Sequence, residues 1–260
     1  MIWKRGRSGG APSGAQPWRK HLLFCWAILS FGGHAGLQCQ YVVADYEVLL
    51  DLGILRKFQA RLYISGDRAR FDWGSPEMPL ESRDSRELRV QVAPPDTIGT
   101  YNYTDSRGAL MYSTVASLEG ATRILKEPLP AIHWKITEKQ REIGAYRCLY
   151  AEGFFRGRKY GVWFTPDIPV HFGPWKLYGL PGLVVSASDE NHAVTFRLHG
   201  LTPGDSFPET DFSDLEPIDL AAYRNFLKDR SNRLLRRIQA RMPRGAQFRL
   251  TDQQHLEIFQ

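Results

Sequence analysis

Cysteine is scarce in this sequence, three residues in 260, and none forms a Cys-x-x-Cys pair, so zinc ribbons and thioredoxin-type redox chemistry have no basis. Histidine spacing is equally unhelpful to a metal: His171 has no second histidine placed to share a helix or strand face with it, and His192 and His199 fall toward opposite ends of a predicted strand. No metal site and no cofactor are expected. Residues 36–260 hold neither a Gly-x-Ser-x-Gly elbow nor a phosphate-cradling glycine loop, and neither Ser186 nor Ser188 has a recognisable base beside it in the chain. No apolar run reaches the ~20 residues that a spanning helix needs.

Acid is absent from the first 35 residues, which carry Lys4, Arg5, Arg7, Arg19 and Lys20 and then the apolar run "LLFCWAILSFGG". That order of a basic region, a short apolar core and the small residues of "GHA" predicts a secretory leader over residues 1–35, cleaved after Ala35. Taking those five cations from the 34 Lys and Arg leaves 29 against 28 Asp and Glu, so the mature protein is nearly neutral and nucleic acid is not an expected partner. Residues 36–260 are enough for one domain. An exported chain with Cys39 and Cys148 left can form a disulfide between them; one buried and one unpaired thiol is the other reading.

From Tyr41 to about Gly200 short alternating runs are broken by turn residues, which predicts a mainly β fold, a curved antiparallel meander of half-open barrel type. In "FQARLYISGDRARFDW", Ala60, Leu62 and Ile64 alternate, Ser65-Gly66-Asp67 turns, and Ala69, Phe71 and Trp73 resume the alternation. Asp105-Ser106-Arg107-Gly108 and Gly144 mark two further turns, "YGVWFT" reads as a strand, and a hairpin closes around Asp189-Glu190-Asn191. Gly74 to Leu88 lacks a period and is expected to be a mobile loop. A helix follows at about 219–242, capped by Asp219, with Leu220, Tyr223, Leu227, Leu234, Ile238 and Met242 as its stripe. Its remaining faces are basic, which allows peripheral membrane contact, although a helix docked on the sheet with a solvated basic back satisfies the same pattern.

The segment "WFTPDIPVHFGPWKLYGLPGLVVS" concentrates proline and glycine among large apolar side chains. Leu180-Pro181-Gly182-Leu183 fits a type II turn with positive φ at Gly182, and Gly173, Pro174 and Gly179 add further bends. A stiff loop presenting Phe172, Trp175, Tyr178, Leu180 and Leu183 is a candidate surface for an apolar or amphipathic ligand or an outer-membrane or envelope protein partner, with Arg156, Arg158, His171 and Lys176 supplying polar contacts. Two alternatives stand beside it: an exported hydrolase-like enzyme using Asp167 and His171, and a structural plug over the end of the sheet.

The run "RGRKYGVWFTPDIPVHFGPWKLYGLPGLVV" resembles the signature region of the GLPGLI family of exported proteins from Gram-negative bacteria, with Val184 in place of the final isoleucine. Arg156-Gly157-Arg158, Trp163-Phe164-Thr165, Ile168-Pro169, Gly173-Pro174 and Gly179 to Leu183 carry the likeness, which extends loosely to "IGAYRCLYAEGFF" and "YISGDRARFDW". The resemblance implies a periplasmic or secreted β-rich protein and no particular reaction.

Overall fold

The structure, a computed structural model, describes residues 41–53, 55–77, 99–116, 122–241 and 255–259. The expected leader, Cys39, most of the expected mobile loop and Met242 lie outside those residues.

Alternation builds the strands. In β1 (Tyr41–Asp51) Ala44, Tyr46, Val48 and Leu50 turn inward, and β2 (Leu55–Ser65) answers with Phe58, Ala60, Leu62 and Ile64 in antiparallel register, Tyr46 opposite Ala60. Gly66 and Asp67 form the tight turn into β3 (Arg68–Glu77). That strand runs further than expected: Pro76 and Glu77, anticipated in a loop, pair with Phe58 and Lys57. A register shift between Phe58 and Ala60 takes up the irregular Gly-Ser-Pro run, because a bulge tolerates a residue with no N–H to donate. The meander continues through β4 (Tyr101–Asp105), β5 (Leu110–Ala116) and β6 (Thr122–Pro128).

A second meander starts at the far edge with β7 (Lys135–Ile143) and returns through β8 (Tyr146–Phe155), β9 (Arg158–Thr165), β10 (Leu183–Asp189) and β11 (Val194–Gly204), which pairs with β1. With a last short strand, β12 (Glu216–Ile218), the result is one open, curved sheet in the order β12-β6-β5-β4-β3-β2-β1-β11-β10-β9-β8-β7, with β1 central and shared by both meanders. β12 adds in parallel to β6, the one departure from antiparallel pairing among the described strands. Its three residues sit in a stretch with no readable period. The exposed edge β7 is blunted by Lys135, Glu138, Lys139, Arg141 and Glu142 and by a register shift between Ile136 and Gln140, the usual defence against edge-to-edge pairing.

α1 (Leu220–Arg241) begins where Asp219 accepts from the Ala222 amide at 2.7 Å, satisfying one of the helix's free donors. Tyr223 and Leu227 pack on Val115 of β5 and Leu125 of β6, while Arg224, Lys228 and Arg236 stay exposed. The first half of the helix is thus docked on the sheet with a basic outer side. No described helix is long and apolar enough to cross a membrane.

Candidate functional site: an ionic clasp beneath the signature loop

The signature loop lies on the inner face of the sheet. Phe172, Trp175, Leu177 and Leu180 join Tyr46, Phe71, Phe164 and Phe196 in one core cluster, so the apolar side chains expected on a promontory face inward. Trp175 is 4 % exposed, stacked on Phe196 of β11 at 11° between planes and edge-on to Phe155 of β8. Burial of that area, ~2–3 kcal/mol for a large side chain, explains why a tryptophan is held at φ 57°, a conformation that strains any residue with a Cβ. Leu183 is buried as well, while Tyr178 is half-buried and His171 exposed.

Local hydrogen bonds make the loop a small closed unit. The Gly173 amide donates to Leu177 O at 2.8 Å, the Leu177 amide to Pro174 O at 3.1 Å and the Gly179 amide to His171 O at 2.8 Å. Trp134, ahead of β7, donates its indole N–H to Tyr178 O at 2.8 Å. Gly179 holds φ 98°, a value reserved for glycine. Gly182 does not occupy the left-handed region, which corrects the type II turn expected there. It is needed for approach, since a Cβ on it would collide with the Thr165 carbonyl oxygen. Proline and glycine here serve to press two backbones together.

Beneath the loop lies a cluster of four charges from four different segments, with Glu127, Lys176 and Glu257 buried and Arg156 largely so. Glu127 of β6 accepts from Lys176 Nζ at 2.9 Å and from the Arg156 guanidinium in the β8–β9 turn. Glu257, near the end of the chain, places Oε1 2.5 Å from Lys176 Nζ and 3.9 Å from Arg156 Nε. Two cations and two carboxylates leave the cluster neutral, the condition under which charge is tolerated in an interior. Burial opposes ionisation of Glu127, but Lys176 and Arg156 outweigh it and hold its carboxyl below the ordinary value. A second buried pair adjoins: Arg158 donates to Asp189 Oδ2 at 2.6 Å, and Asp189 Oδ1 accepts from the Val194 amide at 2.8 Å.

The clasp borders a hollow of about 20 Å³ lined by Trp73, Asn102, Ser113, Thr114, Trp175, Lys176 and Glu257 among others. Its far wall is an ordered polar row, with Trp73 Nε1 donating to Asn102 Oδ1 at 2.8 Å and Asn102 Nδ2 to Ser113 Oγ at 2.9 Å. This volume admits about one water molecule and no acyl chain. A cleft between Trp134, His171, Phe172, Tyr178 and Leu180 leaves no room for a water molecule.

Asp167 and His171 do not form the pair an enzyme would need. Asp167 faces Arg147 at 3.8 Å and His171 Nδ1 lies 3.2 Å from the Leu180 carbonyl oxygen. A contact missed in the sequence is Ser188 Oγ at 2.9 Å from His192 Nδ1, brought together by the β10–β11 turn. Asp189 gives both its oxygens elsewhere, so no carboxylate of that residue orients the histidine. Cys148 is buried as a free thiol, and its burial raises its pKa; the other half of the expected disulfide, Cys39, is not described. No group of three metal-ligating side chains occurs among the described residues.

No family model matches the chain, and no curated protein matches it. Among solved structures it is similar to PNGF-II in two crystal forms, at 14% identity and TM-scores of 0.51 and 0.50, over 73% of this chain and 33% of that one. The chain therefore spans about a third of that protein, and the likeness is one of fold. An uncharacterized conserved protein from Thermus thermophilus overlaps at TM-score 0.38 and 7% identity, over 70% of this chain and 91% of that one.

Proposed function

We propose that this chain is an exported, non-catalytic accessory protein of a Gram-negative cell envelope, of GLPGLI type, that works by binding an envelope protein partner at the rim of its plugged sheet. The leader shape and the signature resemblance support export and family. The observation that carries the mode of action is the seating of the signature loop: Trp175 fills the inner face, and the hollow beside it holds about 20 Å³. A carrier of apolar cargo needs several hundred cubic ångströms in that position. What the loop offers outward is Tyr178, His171 and the exposed Pro181, fixed from behind by the Trp134 hydrogen bond. A stiff, preformed rim binds with little ordering entropy.

The test is native mass spectrometry of the protein taken from its own envelope fraction, repeated with His171→Ala and Tyr178→Ala. A co-purifying protein that is lost in the double variant, at unchanged melting temperature, supports the reading. Stoichiometric lipid instead of protein overturns it.

A further inference from the structure

The last described residues, His255 to Phe259, enter the domain without regular secondary structure, bending at Leu256 and Glu257, and are held through main chain and side chains while Ile258 stays exposed. Arg158 forks their backbone, donating Nη2 to His255 O at 2.6 Å and Nε to Leu256 O at 3.1 Å. The Ile258 amide donates to Arg156 O at 2.9 Å, a main-chain bond to the β8–β9 turn. Side chains then read the sequence. Leu256 is buried in the main core, Glu257 pairs with Lys176, and Phe259 lies against Tyr223 with the guanidinium groups of Arg156 and Arg224 at 5.0 and 4.8 Å from its ring. The approach is close: a Cβ on Gly157 would stand 2.5 Å from Ile258.

Peptide-recognition sites hold a segment by its main chain and select it by pockets at particular side chains, and here Leu256, Glu257 and Phe259 occupy such places. We infer that the channel between the β8–β9 turn, Lys176 and α1 is a peptide-binding site, that His255–Phe259 is its resident occupant, and that a foreign segment with an aliphatic residue, then an acidic one, and an aromatic residue two places after the acid can take the tail's place. The charge balance argues for that chemistry. Without Glu257, Arg156 and Lys176 face Glu127 alone, and a buried net positive charge remains that a carboxylate-bearing segment neutralises. The site is separate from the rim that Tyr178 and His171 form, and it stands or falls independently of that reading.

The tail, being tethered, competes at an effective concentration in the millimolar range, so a free peptide binds detectably once the tail's own grip is weakened. The probe is fluorescein-labelled His-Leu-Glu-Ile-Phe-Gln, titrated by anisotropy against the full chain and against the full chain carrying Leu256→Ala and Glu257→Ala. The double variant is expected to bind roughly tenfold or more tighter than the parent, and a peptide with lysine for glutamate to bind neither. Equal binding to both chains, or no binding to a variant that keeps its circular dichroism, overturns the proposal. Should the variant fail to fold, hydrogen exchange on the parent decides: the Ile258 amide is expected to exchange well before those of β9, and exchange only with global unfolding overturns it.

Discussion

Arg156, in the turn between β8 and β9, donates to Glu127 of β6, although those strands lie near opposite ends of the sheet order. The backbone ladder leaves the sheet open, and this contact joins its two flanks. Lys176 from the loop and Glu257 from the tail complete the junction, so one cluster fastens two meanders, a plug and a chain end. A buried ionic group of this kind adds less to stability than apolar packing of equal volume, but it penalises every arrangement that leaves one member alone. It therefore fixes how the sheet curls.

Removing one member should be costly. Lys176→Met and Glu127→Gln are each expected to destabilise the fold by ~3–5 kcal/mol, because each leaves a buried partner uncompensated. The double variant is expected to lose clearly less than the sum of the two, since it removes a pair. Urea denaturation of the three proteins checks this; simple additivity would show that the contacts do not couple.

Acid should loosen the clasp through Glu127. Its folded carboxyl titrates below the ordinary value of 4.5, so the unfolded chain takes up the proton first as pH falls. The stabilisation is complete above 4.5 and is lost as pH drops from there through the folded value. Glu127→Gln is expected to be less stable near neutrality yet to decline less steeply across this window. Parallel stability curves for the two proteins would contradict that assignment.

Much of the fold was legible because short alternating runs between strong turn residues admit one reading. Ser65-Gly66-Asp67, Asp105 to Gly108 and Gly144 all mark hairpins, and Asp219 caps the helix. β12 was not legible, since three residues in a Pro- and Asp-rich stretch carry no period. The loop's direction was hidden for a different reason: apolar side chains among prolines and glycines suit a promontory and a plug equally, and only the inward faces of β8 to β11 decide between them. Of the clasp, one trace existed. Glu127 shares the inward face of β6 with Leu125, and an acid in that position calls for a buried cation, but its partners come from a turn, a loop and a tail far apart in the chain.

The two kinds of glycine can be told apart by substitution. Gly66 holds φ 57° with nothing within 4 Å of a Cβ, so alanine is expected to cost ~1–2 kcal/mol and asparagine, which tolerates that conformation, much less. At Gly182 the obstacle is the Thr165 backbone, so alanine is expected to cost ~1–3 kcal/mol and asparagine more. Thermal melts of the four variants reverse the order of alanine and asparagine between the sites. Asparagine rescuing position 182 would restore the type II turn there.

Cys148 offers a check on how tightly β8 is held. The thiol is buried, donates to Tyr146 O at 3.6 Å and has its pKa raised by that burial against the opposing pull of Arg141. A thiol so placed is a poor nucleophile, because only the thiolate reacts and the thiolate is disfavoured. Alkylation by iodoacetamide near neutral pH is expected to run at least tenfold slower in the folded protein than in urea, roughly the effect of burial and a raised pKa together. Peptide mapping after timed quenching gives the rate at Cys148 itself. Equal rates in both conditions would mean that β8 opens locally on the timescale of the reagent, and the flank that carries Arg156 would then be too mobile to hold a clasp.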